Sequence, residues 1–245
     1  MVSHRRLRIG RADPAPALAA LRGRAVNYDR AEVRRPAWNL DEHRCVLGLE
    51  PPGPAVPGGL WSVACELVRD YEFTPPGLVR AVYDPRVPLL GRELLLEGRF
   101  SALRFQMGVR ITSLVDADDP ARDVFGWGYE TLDGHLERGE VVYRVVKHRD
   151  SGHVEFTATS HSQVDPRLGP VLRLGWALFG RRTQLRFYRE IQGRMRGLVR
   201  ERAVRPPSAG ATDGLVTVPA GVEPHPLDRF ALYSYDPARS RLHAS

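Results

Sequence analysis

The sequence predicts an α+β domain: a strongly curved antiparallel sheet of about six or seven strands wrapped around a long C-terminal helical region, with two short helices after the first strand. Three observations lead there. Through the middle of the chain apolar residues recur with a period of two, as in Leu103, Phe105, Met107, Val109 and Ile111 against Arg104, Gln106, Gly108 and Arg110, which marks strands with one buried face. On both flanks the period becomes helical, with Trp61, Ala64, Cys65, Val68 and Tyr71 before the strands and Ile191, Met195 and Leu198 after them. A sheet with one apolar face has to cover that face, and a long amphipathic helix laid across it does so.

Taken in order, residues 1–40 form an N-terminal arm, partly ordered, with a helical turn or two over Ala17 to Arg22 after Pro16. His43 to Leu49 is the first strand, ended by the breaker cluster EPPGPAVPGG. The Trp61 to Tyr71 stripe is the first short helix. In TPPGLVRAVYDP, Thr74 stands as N-cap and Pro75 at the first helical position, which predicts a second short helix stopped by Pro85. Strands follow at Leu94 to Glu97, Leu103 to Ile111, Phe125 to Leu132, Val141 to Lys147 and His153 to Ser160, with turns near Gly98 to Ala102 and at RDSG, and an exposed loop at Val115 to Asp123. Leu168 to Phe179 reads as a buried helix. The next helix carries Phe187 or Tyr188, Ile191, Met195 and Leu198 inward and Arg186, Arg189, Arg196 and Arg200 outward. The main domain is thus 41–204, and residues 205–245 read as a flexible tail with a local contact at Phe230 to Tyr235.

With 245 residues, 42% of them apolar, the chain can bury an ordinary core. Its charge of +7 invites a nucleic-acid reading, but Lys147 is the only lysine, and the arginine excess is confined to residues 1–36 and 181–205. Few aromatic residues interleave with those arginines. Solvated helix faces explain them more simply than an anionic lipid or nucleic-acid partner. Cys45 and Cys65 form no zinc spacing, and the basic start lacks an uninterrupted apolar run, so the expected location is a reducing cytoplasm. The most apolar run, Gly169 to Gly180, is too short to cross a bilayer and contains Arg173. No nucleophile elbow, phosphate loop or dinucleotide fingerprint is present, so no cofactor is expected.

The densest chemistry lies in GWGYETLDGHLERGE, Gly126 to Glu140. If Asp133 to Gly139 closes a hairpin about Leu136, then Leu132 faces Glu140, Glu130 faces Val142 and Tyr129 faces Tyr143. Phe125, Trp127, Tyr129 and Thr131 would share one face with Val141, Tyr143 and Val145, a strip that is either core or cavity wall. Gly126, Gly128 and Glu130 would lie on the other, the glycines admitting a close neighbour.

YEFTPPGLVRAVYD, PLLGRELLLE, GWGYETLDGHLERGEVVY and LFGRRTQLRFYR together resemble the DUF1990 family. Its hallmark segment falls here on Tyr129, Thr131, Leu132, Gly134, His135, Glu137, Gly139 and Glu140, and the resemblance spans roughly residues 45–203. It implies a helix-grip fold of the START-like kind with a ligand cavity between sheet and C-terminal helix, and it implies no established reaction.

On that fold the expected ligand is a small hydrophobic or amphipathic molecule, with Trp127, Tyr129, Thr131, Tyr143, Glu130 and His161 as candidate contacts. The alternative is an enzyme of the cyclase or isomerase kind, with catalytic candidates Tyr129, His135, Glu137 and Glu140. In it His135 would be a general base oriented by Glu137 or Glu140. Against this, a loop histidine often binds backbone groups, the carboxylates can satisfy loop N–H groups, and Gly134 and Gly139 can supply positive φ. The spacing His135-x-Glu137-x-x-Glu140 matches no known metal motif, so no metal is expected.

Overall fold

In the computed structural model, which describes residues 6–9, 13–100, 103–176, 180–202, 208–209, 214–221 and 232–235, the chain runs through eleven strands and four α-helices. They are β1 (Arg6–Ile9), α1 (Pro14–Ala19), β2 (Asn39–Leu49), α2 (Leu60–Arg69), β3 (Val79–Tyr83), β4 (Glu93–Phe100), β5 (Leu103–Asp119) and β6 (Arg122–Thr131). After them come β7 (Glu137–His148), β8 (His153–Val164), α3 (Pro170–Gly175), α4 (Arg181–Arg200), β9 (Ser208–Ala209), β10 (Val216–Val218) and β11 (Leu232–Tyr235). The sheet order is β2-β8-β7-β6-β5-β4-β3-β10-β9, with β11 pairing β1 and β5. The neighbours from β2 to β10 are all antiparallel.

This is a helix-grip fold with more strands than expected. The sheet carries register shifts at Val46/Gly48 and at Ile111/Ser113, and bulges of this kind bend a strand and raise its twist. The concave face holds the main core. Tyr71, Phe73, Trp127, Tyr143 and Phe156 fill its centre with ring centroids 4.8–6.2 Å apart. The buried faces of α2 (Val63, Ala64, Cys65, Leu67, Val68) and α4 (Tyr188, Ile191, Met195, Val199) close over it.

Several elements differ from the sequence reading. The second short helix is strand β3, reached through a turn in which Leu78 and Val79 N–H groups bond the Pro75 carbonyl. Buried Ala81, Val82 and Tyr83 take both faces of the sheet, so the apolar spacing fits a strand buried on both sides as well as a helix. The loop expected at Val115 to Asp123 is the end of β5 and the start of β6, paired from Asp119↔Arg122 onward. Helix α3 is shorter than the expected Leu168 to Phe179 helix and is not buried, since Leu174 is 63% exposed; residues 177–179 lie outside the described residues. On α4 Tyr188, Ile191 and Met195 are buried as expected, with Val199 taking the fully buried position in place of Leu198, while Arg186, Arg189, Arg196 and Arg200 are exposed as expected.

The arm and tail also contribute. Asp13 caps α1 by accepting the Ala15 N–H, which starts that helix at Pro14, before Ala17. Leu18 and Leu21 then pack on Val82, Leu95 and Leu132, across the sheet from the main core. A Cβ at Gly108 would lie 2.3 Å from Leu21 Cδ2, so this glycine, at a polar position of the β5 alternation, makes room for the arm. Within the stretch expected to be a flexible tail, Val216 and Val218 are buried on β10 beside β3. At the expected local contact, Leu232–Tyr235 pair with β1 and β5, and Phe230 lies outside the described residues.

Candidate functional site

The hairpin between β6 and β7 sets the site. Its register is Tyr129↔Val141, Glu130↔Glu140 and Trp127↔Tyr143, two residues away from the expected pairing. A shift of two preserves the faces, so Phe125, Trp127 and Tyr129 do lie beside Val145, Tyr143 and Val141. The glycines of GWG act as expected: added Cβ atoms would meet the Tyr143 carbonyl oxygen at 2.2 Å from residue 126 and the Ser113 Oγ at 2.6 Å from residue 128.

The loop is held by His135. The Glu137 N–H donates to His135 Nδ1 at 2.9 Å. The Glu137 carbonyl oxygen lies equally close to Nδ1, at 2.9 Å, so Nδ1 accepts from the N–H in one tautomer and donates to the carbonyl in the other. Gly134 and Gly139 take φ of 88° and 150°, values open to glycine and costly for other residues. Thr131 Oγ1 accepts the Gly139 N–H at 2.8 Å and donates to Asn27 Oδ1 at 2.6 Å.

Between this corner, the sheet and α4 lies a cavity of about 110 Å³, lined by apolar groups such as Leu96, Met107 and Val141, by the aromatic residues Tyr71, Tyr129, Trp176, Phe187 and Tyr188, and by His135 and Glu137. Glu137 accepts the Trp176 Nε1–H at 3.2 Å. Burial pushes its carboxyl pKa up to about 7, only partly offset by the Trp176 hydrogen bond and by Arg181. Arg181 is itself bound by both oxygens of Asp41, at 2.6 Å each. Tyr188 donates its hydroxyl to Ser160 Oγ at 2.7 Å and stacks on His43.

Tyr71 enters the cavity through a strained helix end. Glu72 N–H bonds the Leu67 carbonyl and Tyr71 N–H bonds Val68, a Schellman cap whose left-handed position is usually glycine. Here it is Tyr71, at φ 62°. A bulky residue there costs about 1–3 kcal/mol. Its ring lies 5.9 Å from Tyr143 and 6.5 Å from Tyr129. The hydroxyls of Tyr71, Tyr129 and Tyr143 interact with one another, those of Tyr71 and Tyr143 make no hydrogen bond of normal geometry among the described residues, and burial raises the pKa of all three.

Of the sequence-derived candidates, the structure therefore brings Tyr129, His135 and Glu137 together at one cavity. The others need correction. Trp127 is 0% exposed, donates its Nε1–H to the Val68 carbonyl at 2.8 Å and is core. Tyr143 stands behind Tyr129 in the core, and Thr131 serves the loop. Glu130, Glu140 and His161 lie side by side on the convex face, because strand alternation sends the neighbours of Tyr129, Val141 and Ser160 away from the cavity. The N-terminal arm covers them.

There Tyr28 donates its hydroxyl to Glu130 Oε1 at 2.9 Å, and His161 Nε2 lies 2.9 Å from the same hydroxyl oxygen. Arg30 bridges Glu130 at 3.1 Å and Glu140 at 2.7 Å. Burial raises the Glu130 pKa, but Tyr28, the nearby Thr112 hydroxyl and Arg30 outweigh it and leave the net shift downward. Burial dominates at the other two, raising Glu140 and lowering His161. Sequence reasoning missed Tyr71, Trp176 and Phe187 as cavity wall, because a helical apolar stripe does not separate core from cavity. Among the described residues no His/Cys/Asp/Glu group is arranged to hold a metal, and no helix is long and apolar enough to cross a membrane.

Comparison with solved structures finds matches at low identity. The hypothetical protein jhp0584 from Helicobacter pylori is 10% identical, with 71% of this chain and 96% of that one covered and a TM-score of 0.47. Zhui aromatase/cyclase from Streptomyces sp. R1128 is 14% identical, covering 68% and 96%, with a TM-score of 0.44. Ginseng major latex-like protein 151 from Panax ginseng is 12% identical, covering 64% and 97%, with a TM-score of 0.37. No curated protein matches the sequence. Residues 25–194 match the model of a domain of unknown function, DUF1990. The span takes in the hairpin hallmark, the cavity and the arm segment over Glu130, and the chain belongs to the DUF1990 family.

Proposed function

We propose that the protein binds a small apolar or amphipathic molecule in the cavity between the sheet and α4. The observation that carries this reading is Tyr71. A bulky residue is kept in a left-handed backbone conformation at the cavity wall, its buried hydroxyl close to those of Tyr129 and Tyr143 but without a hydrogen bond of normal geometry among the described residues. Such a group is costly unless something supplies its partner. The apolar lining provides burial, and the Tyr71 hydroxyl and Glu137 provide orientation. At about 110 Å³ the space lies below the ~300 Å³ of sites for drug-sized ligands; the ligand, or the part of it enclosed, is small. The two cysteines, both free and buried, suit a reducing cytoplasm.

Native mass spectrometry after gentle purification from the host tests this. The wild type should carry a bound small molecule, and Val141→Phe, which fills the cavity, should lose it. Repeated preparations of folded wild type without any adduct would remove the reading.

One observation favours acid–base chemistry as a second reading. Glu137 is a cavity carboxyl with a pKa of about 7, matched to proton transfer near neutrality, with Tyr129 on the same wall. If turnover of any bound molecule is found, Glu137→Gln should abolish it while binding persists; turnover that survives the substitution excludes this role.

A further inference from the structure

The chemical class of the ligand follows from charge. The chain has 36 basic and 29 acidic residues, yet among the described residues no arginine or lysine lines the cavity, and Glu137 is the one carboxylate that does. Arg181, whose charge acts on Glu137, is held by both oxygens of Asp41 and by Gln184. Within the cavity the Glu137 carboxylate accepts the neutral indole N–H of Trp176. Arg181 therefore offsets the charge of its ionised form only in part, and burial raises its pKa.

The rest of the wall is aromatic. Tyr71, Tyr129, Trp176, Phe187 and Tyr188 surround the same space. Ring faces carry partial negative charge and attract cations, most strongly where water is excluded. An anionic ligand would meet both Glu137 and this lining with the wrong sign. A wholly apolar one would leave the carboxylate bare.

We propose that the cavity selects a small organic cation, a protonated or quaternary amine, seated among these five rings with Glu137 as its counter-ion. The proposal rests on the ligand-binding reading of the same cavity. A quaternary amine keeps its charge at every pH, so any pH dependence of its binding reports on the protein. The titratable and charged groups around Glu137 are His135 on its own loop, Tyr129 on β6, Arg181 and Tyr188 on α4 and Asp41 on β2. Asp41 and Arg181 neutralise each other, and burial raises both tyrosines further above their usual range. Glu137 is then expected to govern binding between pH 6 and 8, and Glu137→Gln separates its part from that of His135, which lines the same cavity.

Isothermal titration calorimetry with choline and tetramethylammonium, against 3,3-dimethyl-1-butanol as the neutral isostere of choline, tests this on the full chain. At pH 8 one or both cations should bind at least tenfold more tightly than the alcohol. Between pH 8 and 6 the affinity should fall about tenfold, as the ionised fraction of a carboxyl with pKa near 7 drops from about 0.9 to about 0.1. Glu137→Gln, shown folded by circular dichroism, should lose both the preference and the pH dependence. If the alcohol binds as tightly as choline, the cation class is wrong and the ligand cavity survives. If a cation preference persists in folded Glu137→Gln, Glu137 is not the counter-ion and the proposal falls. If neither cation binds the wild type at millimolar concentration, the proposal falls, and the mass-spectrometric test then decides separately whether the cavity binds anything else.

Discussion

Trp176 donates its indole N–H to Oε1 of Glu137 at 3.2 Å, tying the link between α3 and α4 to the first residue of β7 across the cavity. The same indole packs on Gly180, where an added Cβ would lie 2.6 Å from the ring. Alanine is the better helix former by about 1 kcal/mol. Even so, Gly180→Ala should not stabilise the protein, because the ring must move to admit the methyl group. The expected result is a red-shifted, more quenchable Trp fluorescence and a Glu137 carboxyl titrating at a changed pH by NMR. An unchanged spectrum and titration would show that the ring does not depend on Gly180.

Glu137 should make stability depend on pH in a way opposite to most carboxylates. Its folded pKa, about 7, lies above the ordinary value of 4.5, so between these pH values the folded state binds more protons than the unfolded one. Stability therefore falls as pH rises through that window. The loss is on the order of 3 kcal/mol, complete above pH 7. Thermal melts at pH 5 and pH 8 should show Glu137→Gln spared most of a decrease seen in the wild type; identical slopes would place the titration elsewhere.

Tyr71→Phe separates folding from binding. It removes a buried hydroxyl that makes no hydrogen bond of normal geometry among the described residues, so the melting temperature should stay level or rise, in line with about 1 kcal/mol for relief of an unsatisfied group. Ligand retention in native mass spectra should drop at the same time. A marked loss of stability would mean that the hydroxyl is satisfied in the folded protein.

His135 accepts the Glu137 N–H from a buried position, 6% exposed. His135→Ala should cost about 1–3 kcal/mol in chemical denaturation, because a backbone donor loses its partner, with His135→Asn recovering part of it. A near-neutral effect would reopen the role of general base.

The arm is latched to the convex face by Tyr28 and Arg30 on Glu130. Glu130→Gln keeps the shape but weakens both bonds, and should cost about 1–2 kcal/mol and speed tryptic cleavage at Arg30 and Arg34. The net depression of the Glu130 pKa gives the opposite sign to Glu137: this stabilisation is present above the ordinary carboxylate pKa and is lost as pH falls through the folded value. Cleavage of the wild type that is as fast as that of the variant would show that the latch contributes nothing.

The sequence by itself determined the first strand, helices α2 and α4 and the central strands between them, the period-two faces of β5 to β8 and the inward stripe of α4 at Ile191 and Met195. These depend on local spacing, and local spacing is what a chain displays. It also carried the family hallmark and the positive φ of Gly134 and Gly139. Only the tertiary structure decided the rest. An apolar run such as Val79 to Tyr83 serves equally as a helix or as a strand buried on both sides, and partners chose the strand. A hairpin register two residues off preserves every face, so Glu130 could be paired wrongly in sequence terms while its side of the sheet was right. That side, and the arm lying over it, took Glu130, Glu140 and His161 out of the cavity. Tyr71 and Trp176 entered it from elements far apart in the chain, because a cavity is defined by what long-range packing leaves unfilled.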